Sequence, residues 1–257
     1  MARAKLYYIP GIVWHITHRC HNKDFLLKFS RDRKNWLYWL FQAKKRYGLH
    51  ILNYAVTSNH IHLLIYDDGK RDVIPRSIQL TASRTAREYN QRKGRRGAFW
   101  EDHYHATAVE TGDHLNWCMV YIDLNMVRAG VVKHPAEWPF CGYNEIKSSP
   151  QRYKLIDTRK LMRLLHIDSQ QRLKEFYKKW IESALVSKGI KRESRWTESI
   201  AVGNKDFVEA IKTRLGIKVN YREIKEANGT FVLQNQRSTY RSNFPAKMGH
   251  LSGKAGD

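Results

Sequence analysis

The order of hydrophobic patterns along residues 11–110 restricts the fold of this chain more than any other feature. Apolar residues at every second position indicate strands, and apolar residues three or four positions apart indicate helices. The patterns follow the order strand, helix, strand, strand, helix, strand. The predicted elements are Gly11–His18, Arg31–Tyr47, Leu49–Val56, Asn59–Tyr66, Ile74 or Pro75 to Gln91, and His105–Glu110. This order predicts a ferredoxin-like α+β fold, with an antiparallel sheet and helices on one face.

Local end signals support these helices and add a third one. Ser30 is a candidate N-cap of the first helix, and Gly48 is a candidate C-cap. The third helix is predicted from His114 to Ala129, with Thr111 or Asp113 as its cap and Gly130 as its end.

The composition changes after the two prolines at 135 and 139, which predicts a domain boundary. Residues 1–146 are predicted to form the first domain, and residues 147–154 are predicted to be a linker. Residues 155–232 are predicted to be a small helical accessory region, with helices at Thr158–Leu165, Ser169–Ser187 and Asn204–Leu215. Residues 233–257 are polar and basic, and we expect a disordered tail there.

The charge of the chain favours a polyanionic partner. There are 46 Lys and Arg residues against 24 Asp and Glu, a formal net charge of +22. The 8 Trp, 14 Tyr and 9 Phe residues offer surfaces on which unpaired bases can stack. Charge alone names no activity, and a basic soluble protein without such a ligand is the alternative.

Cysteine usage and hydropathy indicate the compartment. The three cysteines, Cys20, Cys118 and Cys141, have no CxxC spacing and leave an odd number, so neither a zinc knuckle nor a disulfide framework is predicted. No stretch approaches 18 apolar residues, and no apolar signal core precedes the first strand. We therefore expect a cytoplasmic protein without membrane segments.

Two pairs of polar residues mark a candidate site. His60 and His62 lie in a predicted strand, where alternate side chains share a face. Tyr121 and Asn125 lie four positions apart in a predicted helix and share one side of it. Two imidazole nitrogens and an amide oxygen can hold a divalent cation with open positions, which suits the polarisation of a phosphate for attack by a tyrosine oxygen.

Each of these residues also has an ordinary structural explanation. A chain with 12 histidines contains HxH pairs by chance, and His103 and His105 form a second one that could contact phosphate or line the sheet. His15 and His18 are interpreted as structural or DNA-facing. A tyrosine on an amphipathic helix is usually a core residue with a wet hydroxyl.

Basic residues near the candidate site and in one loop are candidates for DNA contacts. Arg128 lies on the same side of the predicted helix as Tyr121 and Asn125. It could contact phosphate or orient the nucleophile, or it could simply be an arginine that the helix dipole stabilises at the C-terminus. The loop after the second helix holds four cations around one glycine, namely Arg92, Lys93, Arg95 and Arg96. Such a loop could grip a hairpin stem or a single strand through its phosphates.

Four sequence blocks, in this order, resemble the HUH single-tyrosine transposases of bacterial insertion sequences, and more closely the REP-associated tyrosine transposases. The blocks are YIPGIVWHITH (8–18), YAVTSNHIHLL (54–64), WEDHYHA (100–106) and YIDLNMVRAG (121–130). The resemblance covers about residues 5–146 and implies the HUH endonuclease fold for the first domain.

The resemblance also implies roles for the site residues. Tyr121 would be the nucleophile, and His60, His62 and Asn125 would hold Mg²⁺ or Mn²⁺. The implied substrate is single-stranded DNA with a hairpin, cleaved through a 5′-phosphotyrosine by a monomer or a homodimer. Relatives among the insertion-sequence enzymes often carry Gln at the position of Asn125, whose side chain is shorter by one methylene.

Two other functions compete with this interpretation. A non-catalytic DNA- or RNA-binding regulator could use the same fold for hairpin recognition alone, although a pure binder has no need for all four site residues. A replication-initiator or relaxase-type nickase would use the same chemistry on a different substrate. The chain has no HExxH and no GxxxxGK[ST] motif, which disfavours a zincin protease and a P-loop motor.

Overall fold

A computed structural model of the chain describes residues 9–150, 152–187, 191–227 and 229–235. These residues form one seven-stranded sheet with the strand order β2-β3-β1-β4-β5-β7-β6. The strands are β1 (Val13–Arg19), β2 (His50–Val56), β3 (His60–Tyr66), β4 (His105–Val109), β5 (Ala201–Gly203), β6 (Arg222–Ala227) and β7 (Thr230–Asn235). The helices are α1 (Ser30–Tyr47), α2 (Val73–Lys93), α3 (Asp113–Asp123), α4 (Asn125–Arg128), α5 (Gly142–Lys147), α6 (Thr158–Leu164), α7 (Gln170–Val186), α8 (Arg195–Glu198) and α9 (Lys205–Leu215).

The first four strands confirm the predicted ferredoxin-like arrangement. Strand β1 pairs with β3 on one side and β4 on the other, and β2 pairs with β3, all antiparallel. The two crossover helices α1 and α2 pack against each other. His18 points to their side of the sheet, because it stacks on Trp100 with ring centroids 4.2 Å apart, and the indole of Trp100 donates to the Ala82 carbonyl of α2.

The ends of the first helix are in part as expected. Gly48 ends α1 in the left-handed conformation at φ 74°, which glycine adopts at little cost. Ser30 is not a cap, because it is the first residue of α1 and the preceding Phe29 takes the N-cap position without a side-chain hydrogen bond. The carbonyl of Phe29 accepts instead from the backbone amides of Asp32 and Arg33.

The third predicted helix is divided into α3 and α4. Leu124 lies between them with φ −77° and ψ 5°, outside regular helical geometry. Backbone hydrogen bonds of the helical type continue across the break: the Leu124 amide donates to the Val120 carbonyl, and the Arg128 amide donates to the Leu124 carbonyl. Neither Thr111 nor Asp113 caps this helix; Gly112 is the N-cap residue.

The second half of the chain continues the sheet, so the helical accessory region predicted over residues 155–232 also contains strands, and the predicted tail begins inside β7. Helices α6, α7 and α9 lie close to their predicted positions, but β5 pairs parallel with β4 through Ala108–Ala201 and Val109–Val202. Strands β7 and β6 then add antiparallel to β5. Of the predicted tail, residues 236–257 lie outside the described residues.

The predicted linker is followed by contacts with the first half. Lys44 donates to the carbonyls of Lys154 and Leu155, and Ile156 forms a parallel bridge with Ile51 of β2. The division into domains at residues 147–154 stays a prediction. All three cysteines are buried free thiols. Within the described part of the chain, no helix has the length and apolar content needed to cross a membrane.

Candidate active site

The candidate site lies on the sheet face opposite α1 and α2. The register places Thr17 of β1 beside His62 of β3 and beside His105 of β4, and it places Arg19 beside His60. These side chains line an open cleft of about 1530 Å³. Tyr121, Asn125 and Arg128 line the same cleft, so the structure brings together all four residues predicted for catalysis and metal binding.

His62 is held by a chain of hydrogen bonds that begins in the second half of the molecule. His15 contacts the Trp196 carbonyl through Nδ1 at 2.8 Å and His62 Nδ1 through Nε2 at 2.9 Å. Burial keeps both rings neutral, because it lowers the pKa of His15 to about 3 and that of His62 well below its usual value. Since the Trp196 carbonyl can only accept, His15 carries its proton on Nδ1, and His62 donates its own Nδ1 proton to His15. The Nε2 lone pair of His62 is therefore presented to Asn125.

His60 reaches the same protonation pattern through a turn. Its Nδ1 lies 2.8 Å from Asn59 Oδ1 and 2.9 Å from Thr57 Oγ1. The Asn59 oxygen accepts, so the proton is on Nδ1. Burial lowers the pKa of His60 to about 4, and the positive charge of Arg19 adds to this effect. Nε2 of His60 is left with a free lone pair.

The two imidazoles and Asn125 fit a divalent cation. The rings of His60 and His62 are 4.9 Å apart, and the Asn125 side-chain nitrogen lies 2.8 Å from His62 Nε2. Rotation of that amide by half a turn exchanges nitrogen for oxygen, which would offer an oxygen ligand beside two imidazole nitrogens. Within the described ranges, no cluster of three or more His, Cys, Asp or Glu residues is arranged for a metal. An amide is thus the third ligand that this site can supply.

Tyr121 lies against this pair of histidines but is deeply buried. Its side chain is 5% exposed, and its ring centroid is 6.0 Å from that of His62. Arg128 donates to the Tyr121 carbonyl at 2.7 Å and places its guanidinium carbon 4.0 Å from the centre of the phenol ring. Burial raises the pKa of Tyr121, and the charge of Arg128 opposes that rise.

The four cations predicted for the loop after the second helix are not part of the cleft, and the first two, Arg92 and Lys93, are the last residues of α2. Arg92 pairs with Asp32 of α1 and lies over the Tyr89 ring, and Lys93 lies 5.5 Å from the Phe29 ring. Arg95, in the loop that follows, donates to Asn90 in the last turn of α2. Arg96 is exposed. None of the four lines the cleft, and their role in DNA binding stays a prediction.

Sequence reasoning interpreted some residues around the site only in general terms, namely His15, His103 and His105, and missed others. His15 supports His62, and Trp196 anchors His15 from a position 181 residues away. Strand alternation puts His15 and Thr17 on one face, but only the β1–β3 register shows that this is the face of His62. Three further cations line the cleft, namely Arg19, Lys23 and Arg192. His103 and His105 also line it, and His105 contacts the Ser199 carbonyl at 2.9 Å.

The site thus combines two neutral histidines, an amide and a tyrosine in one cleft on a ferredoxin-like sheet. Residues 9–125 match the family model of IS200-like transposases. These residues make up a little less than half of the chain and are similar to that family of transposases.

Two solved structures are similar to the chain. One is a REP-associated tyrosine transposase bound to a REP hairpin, with 19% identity, a TM-score of 0.47 and coverage of 58% of this chain and 87% of that chain. The other is a protein assigned as a transposase in Deinococcus radiodurans, with 15% identity, a TM-score of 0.33 and coverage of 45% of this chain and 91% of that chain. No curated protein matches the chain.

Proposed function

We propose that this protein cleaves and rejoins single-stranded DNA at hairpin-forming, REP-like elements, with Tyr121 as the nucleophile. The observation that carries the proposal is the protonation state of the histidine pair. His60 and His62 both have Nδ1 engaged and Nε2 free of a proton, on the sheet face against which the Tyr121 ring lies. A merely structural pair of histidines has no need for two free lone pairs beside a tyrosine and an amide.

His60, His62 and Asn125 would hold Mg²⁺ or Mn²⁺. When bound, such an ion withdraws charge from a phosphate and fixes its orientation. The chain itself prepares the ligands: the Trp196 carbonyl and His15 orient one ring, and the Thr57–Asn59 turn orients the other. This preparation avoids the loss of rotational freedom that free histidine side chains would suffer on binding.

The phenol oxygen of Tyr121 forms the new bond to phosphorus. The bond between phosphorus and the 3′ oxygen breaks, the phenol proton leaves, and the 3′ oxygen takes up a proton. The products are a 5′-phosphotyrosine and a free 3′-hydroxyl. Because the phosphotyrosine is still an activated ester, a 3′-hydroxyl can attack it and restore the tyrosine, so that strands are rejoined without ATP.

Arg128 helps the tyrosine to lose its proton. A phenol has an ordinary pKa of about 10, and burial of Tyr121 raises it further. The guanidinium beside the ring stabilises the phenolate and lowers this pKa. The same guanidinium lines the cleft, where it can also pair with a phosphate oxygen.

The charge around the cleft supports a DNA strand as the substrate. Arg19, Lys23, Arg128 and Arg192 line the cleft, together with Glu101, Asp102 and Glu198. Arg19 pairs with Glu101 and Arg192 with Glu198, so Lys23 and Arg128 are the cations that can pair with phosphates without breaking an ion pair within the described residues. The loop with Arg92, Lys93, Arg95 and Arg96 lies at the end of α2, where it could hold a hairpin stem. One chain supplies all the proposed catalytic residues, which supports a monomer as the smallest active unit, although a homodimer would be compatible with it. The three free thiols support a reducing cytoplasm as the location.

The direct test is the capture of the covalent adduct. Labelled single strands, tiled across the DNA that flanks the gene, are mixed with the protein and Mn²⁺ or Mg²⁺ and separated on a denaturing gel. An adduct should form and should disappear in Tyr121→Phe, in His60→Ala and without metal. Tyr38→Phe, a half-exposed tyrosine on α1, is the matched control and should retain it.

Other outcomes identify the competing functions. Hairpin binding without an adduct for any flanking strand or metal would favour the non-catalytic regulator. An adduct that survives Tyr121→Phe would exclude Tyr121 as the nucleophile. Cleavage without rejoining of two flanking ends would favour a nickase of the replication-initiator or relaxase type.

A further inference from the structure

A second cavity, of about 430 Å³, adjoins the histidine cleft. Tyr121 and Arg128 line both, so the two spaces meet at the proposed nucleophile. The walls come from α3, α7 and the segment that contains α8, and the principal side chains are Asn116, Trp117, Trp180, Lys191, Arg195 and Trp196. The volume lies within the range of about 300–1,000 Å³ that is typical of pockets for small ligands.

The walls are rich in flat aromatic surface. Trp117 is 47% exposed although it is a large apolar side chain, and Trp180 is half-buried. The Trp196 ring lies 6.1 Å from the Tyr121 ring. Three indoles and a phenol around one opening form an arrangement on which a planar heterocycle can stack.

The charge at the cavity is positive. Arg195 pairs with Glu193, which leaves Arg128 and Lys191 as cations without a carboxylate partner among the described residues. These two can balance phosphates on either side of a bound base. An acidic ligand would use only the cations and a purely aliphatic ligand only the indoles, whereas a nucleotide uses both.

Two polar atoms of the wall residues have no hydrogen-bond partner within the described part of the chain, namely the indole nitrogen of Trp196 and the side-chain oxygen of Asn116. Both atoms are buried from solvent, so they are not presented to a ligand in the cavity. The aromatic walls and the positive charge are therefore the features that can recognise a ligand.

We propose that this cavity binds one unpaired nucleobase of the DNA strand, from a nucleotide adjacent to the phosphate that Tyr121 attacks. The inference rests on the proposed function, because that function places the strand at Tyr121. The base stacks against Trp117, which is the exposed indole of the wall. Residues of α7 and of the segment 191–196 would thereby take part in choosing the cleavage position.

The test combines a protein variant with a missing base. In the His60→Ala background, which prevents cleavage and leaves this cavity intact, the tightest-binding tiled strand carries an abasic site, or 2-aminopurine, at one position at a time. We expect one position at which 2-aminopurine fluorescence is quenched and at which base removal weakens binding about tenfold, in line with the loss of one base–aromatic stack. Trp117→Ala should weaken binding by the same factor and abolish the quenching. Combining the variant with the abasic strand should cost no more than either change alone.

Controls separate stacking from folding and from catalysis. Trp117→Phe keeps an aromatic face and should retain most of the affinity, whereas Tyr38→Ala on α1 should bind as the parent does. Thermal unfolding checks that each variant is folded. Independent, additive effects of Trp117→Ala and base removal, or the absence of a sensitive position, would overturn the proposal.

These outcomes are distinct from failure of the proposed function. An adduct without a sensitive position refutes the base pocket alone. Quenching that depends on Trp117 in a protein that never forms an adduct refutes cleavage and keeps the pocket. No binding to any tiled strand refutes both.

Discussion

Replacing His15 by alanine removes the group that accepts the Nδ1 proton of His62, although His15 itself is not one of the proposed metal ligands. In the native protein this bond, at 2.9 Å, keeps the proton of His62 on Nδ1 and its lone pair on Nε2. Without the acceptor, the proton can move to Nε2 and bond to the oxygen of Asn125. A protonated Nε2 cannot bind a metal, so the metal affinity should fall.

The size of the effect follows from the burial of both rings, which are at most 1% exposed. A buried donor without a partner costs about 1–3 kcal/mol, which corresponds to about 5- to 150-fold in an equilibrium constant. Partners of metal-bound histidines contribute about 10–100-fold to metal affinity or activity. We therefore expect His15→Ala to weaken Mn²⁺ binding by about 10–100-fold.

The assay is calorimetric titration with Mn²⁺ in the absence of DNA, together with thermal unfolding of each metal-free variant. His15→Gln keeps an acceptor and should bind more tightly than His15→Ala. His105→Ala is the matched control, since His105 lies on the same sheet face and contacts Ser199 but does not touch His62. If folded His15→Ala bound Mn²⁺ as tightly as the parent protein, the argument from the orientation of His62 would be wrong.

Three further predictions concern stability. Burial lowers the pKa of His18 to about 4. Between about pH 6.5 and pH 4 this imidazole therefore binds a proton in the unfolded chain but not in the folded one. The free energy of unfolding should fall by about 3 kcal/mol as the pH is lowered through that window. In urea unfolding, the stability of His18→Gln should fall less steeply between about pH 6.5 and pH 4 than that of the parent protein. An unchanged dependence on pH would contradict the role given to His18. Tyr177→Phe removes a donor to the buried Asp123 and should cost about 1–3 kcal/mol, whereas Tyr221→Phe, at 87% exposed, should change stability by less than about 0.5 kcal/mol. Truncation at residue 150 should give an unstable chain, because it exposes the edge of β4 and removes Trp196; a truncated protein that melts like the full chain would disprove this.

The first half of the fold could be predicted because its information is local. Alternation within β1, β3 and β4 and the 3.6-residue spacing of α1 and α2 are visible over short windows. His60 and His62 share a face by strand geometry alone, which is why the pair could be identified before the register was known.

The second half was harder because its strands lack a local signal. Strand β5 has only three residues, all buried, and therefore shows no alternation. Strand β6 alternates between half-buried and exposed residues over its first four positions, but most of its residues are charged, so its hydropathy does not show the alternation. The support of His62 by His15 depends on a carbonyl in α8 that no local pattern connects with β1.

The 181-residue separation between His15 and the Trp196 carbonyl also sets when the site can be completed during synthesis. A ribosome adds about 5–20 residues per second, so about 10–40 s separate the appearance of the two partners. The ferredoxin-like strands β1 to β4 are all made before α8 and can pair during that interval. The orientation of His62 is fixed only afterwards, and a nascent or prematurely released chain would carry the proposed metal ligands without the hydrogen bonds that orient His62.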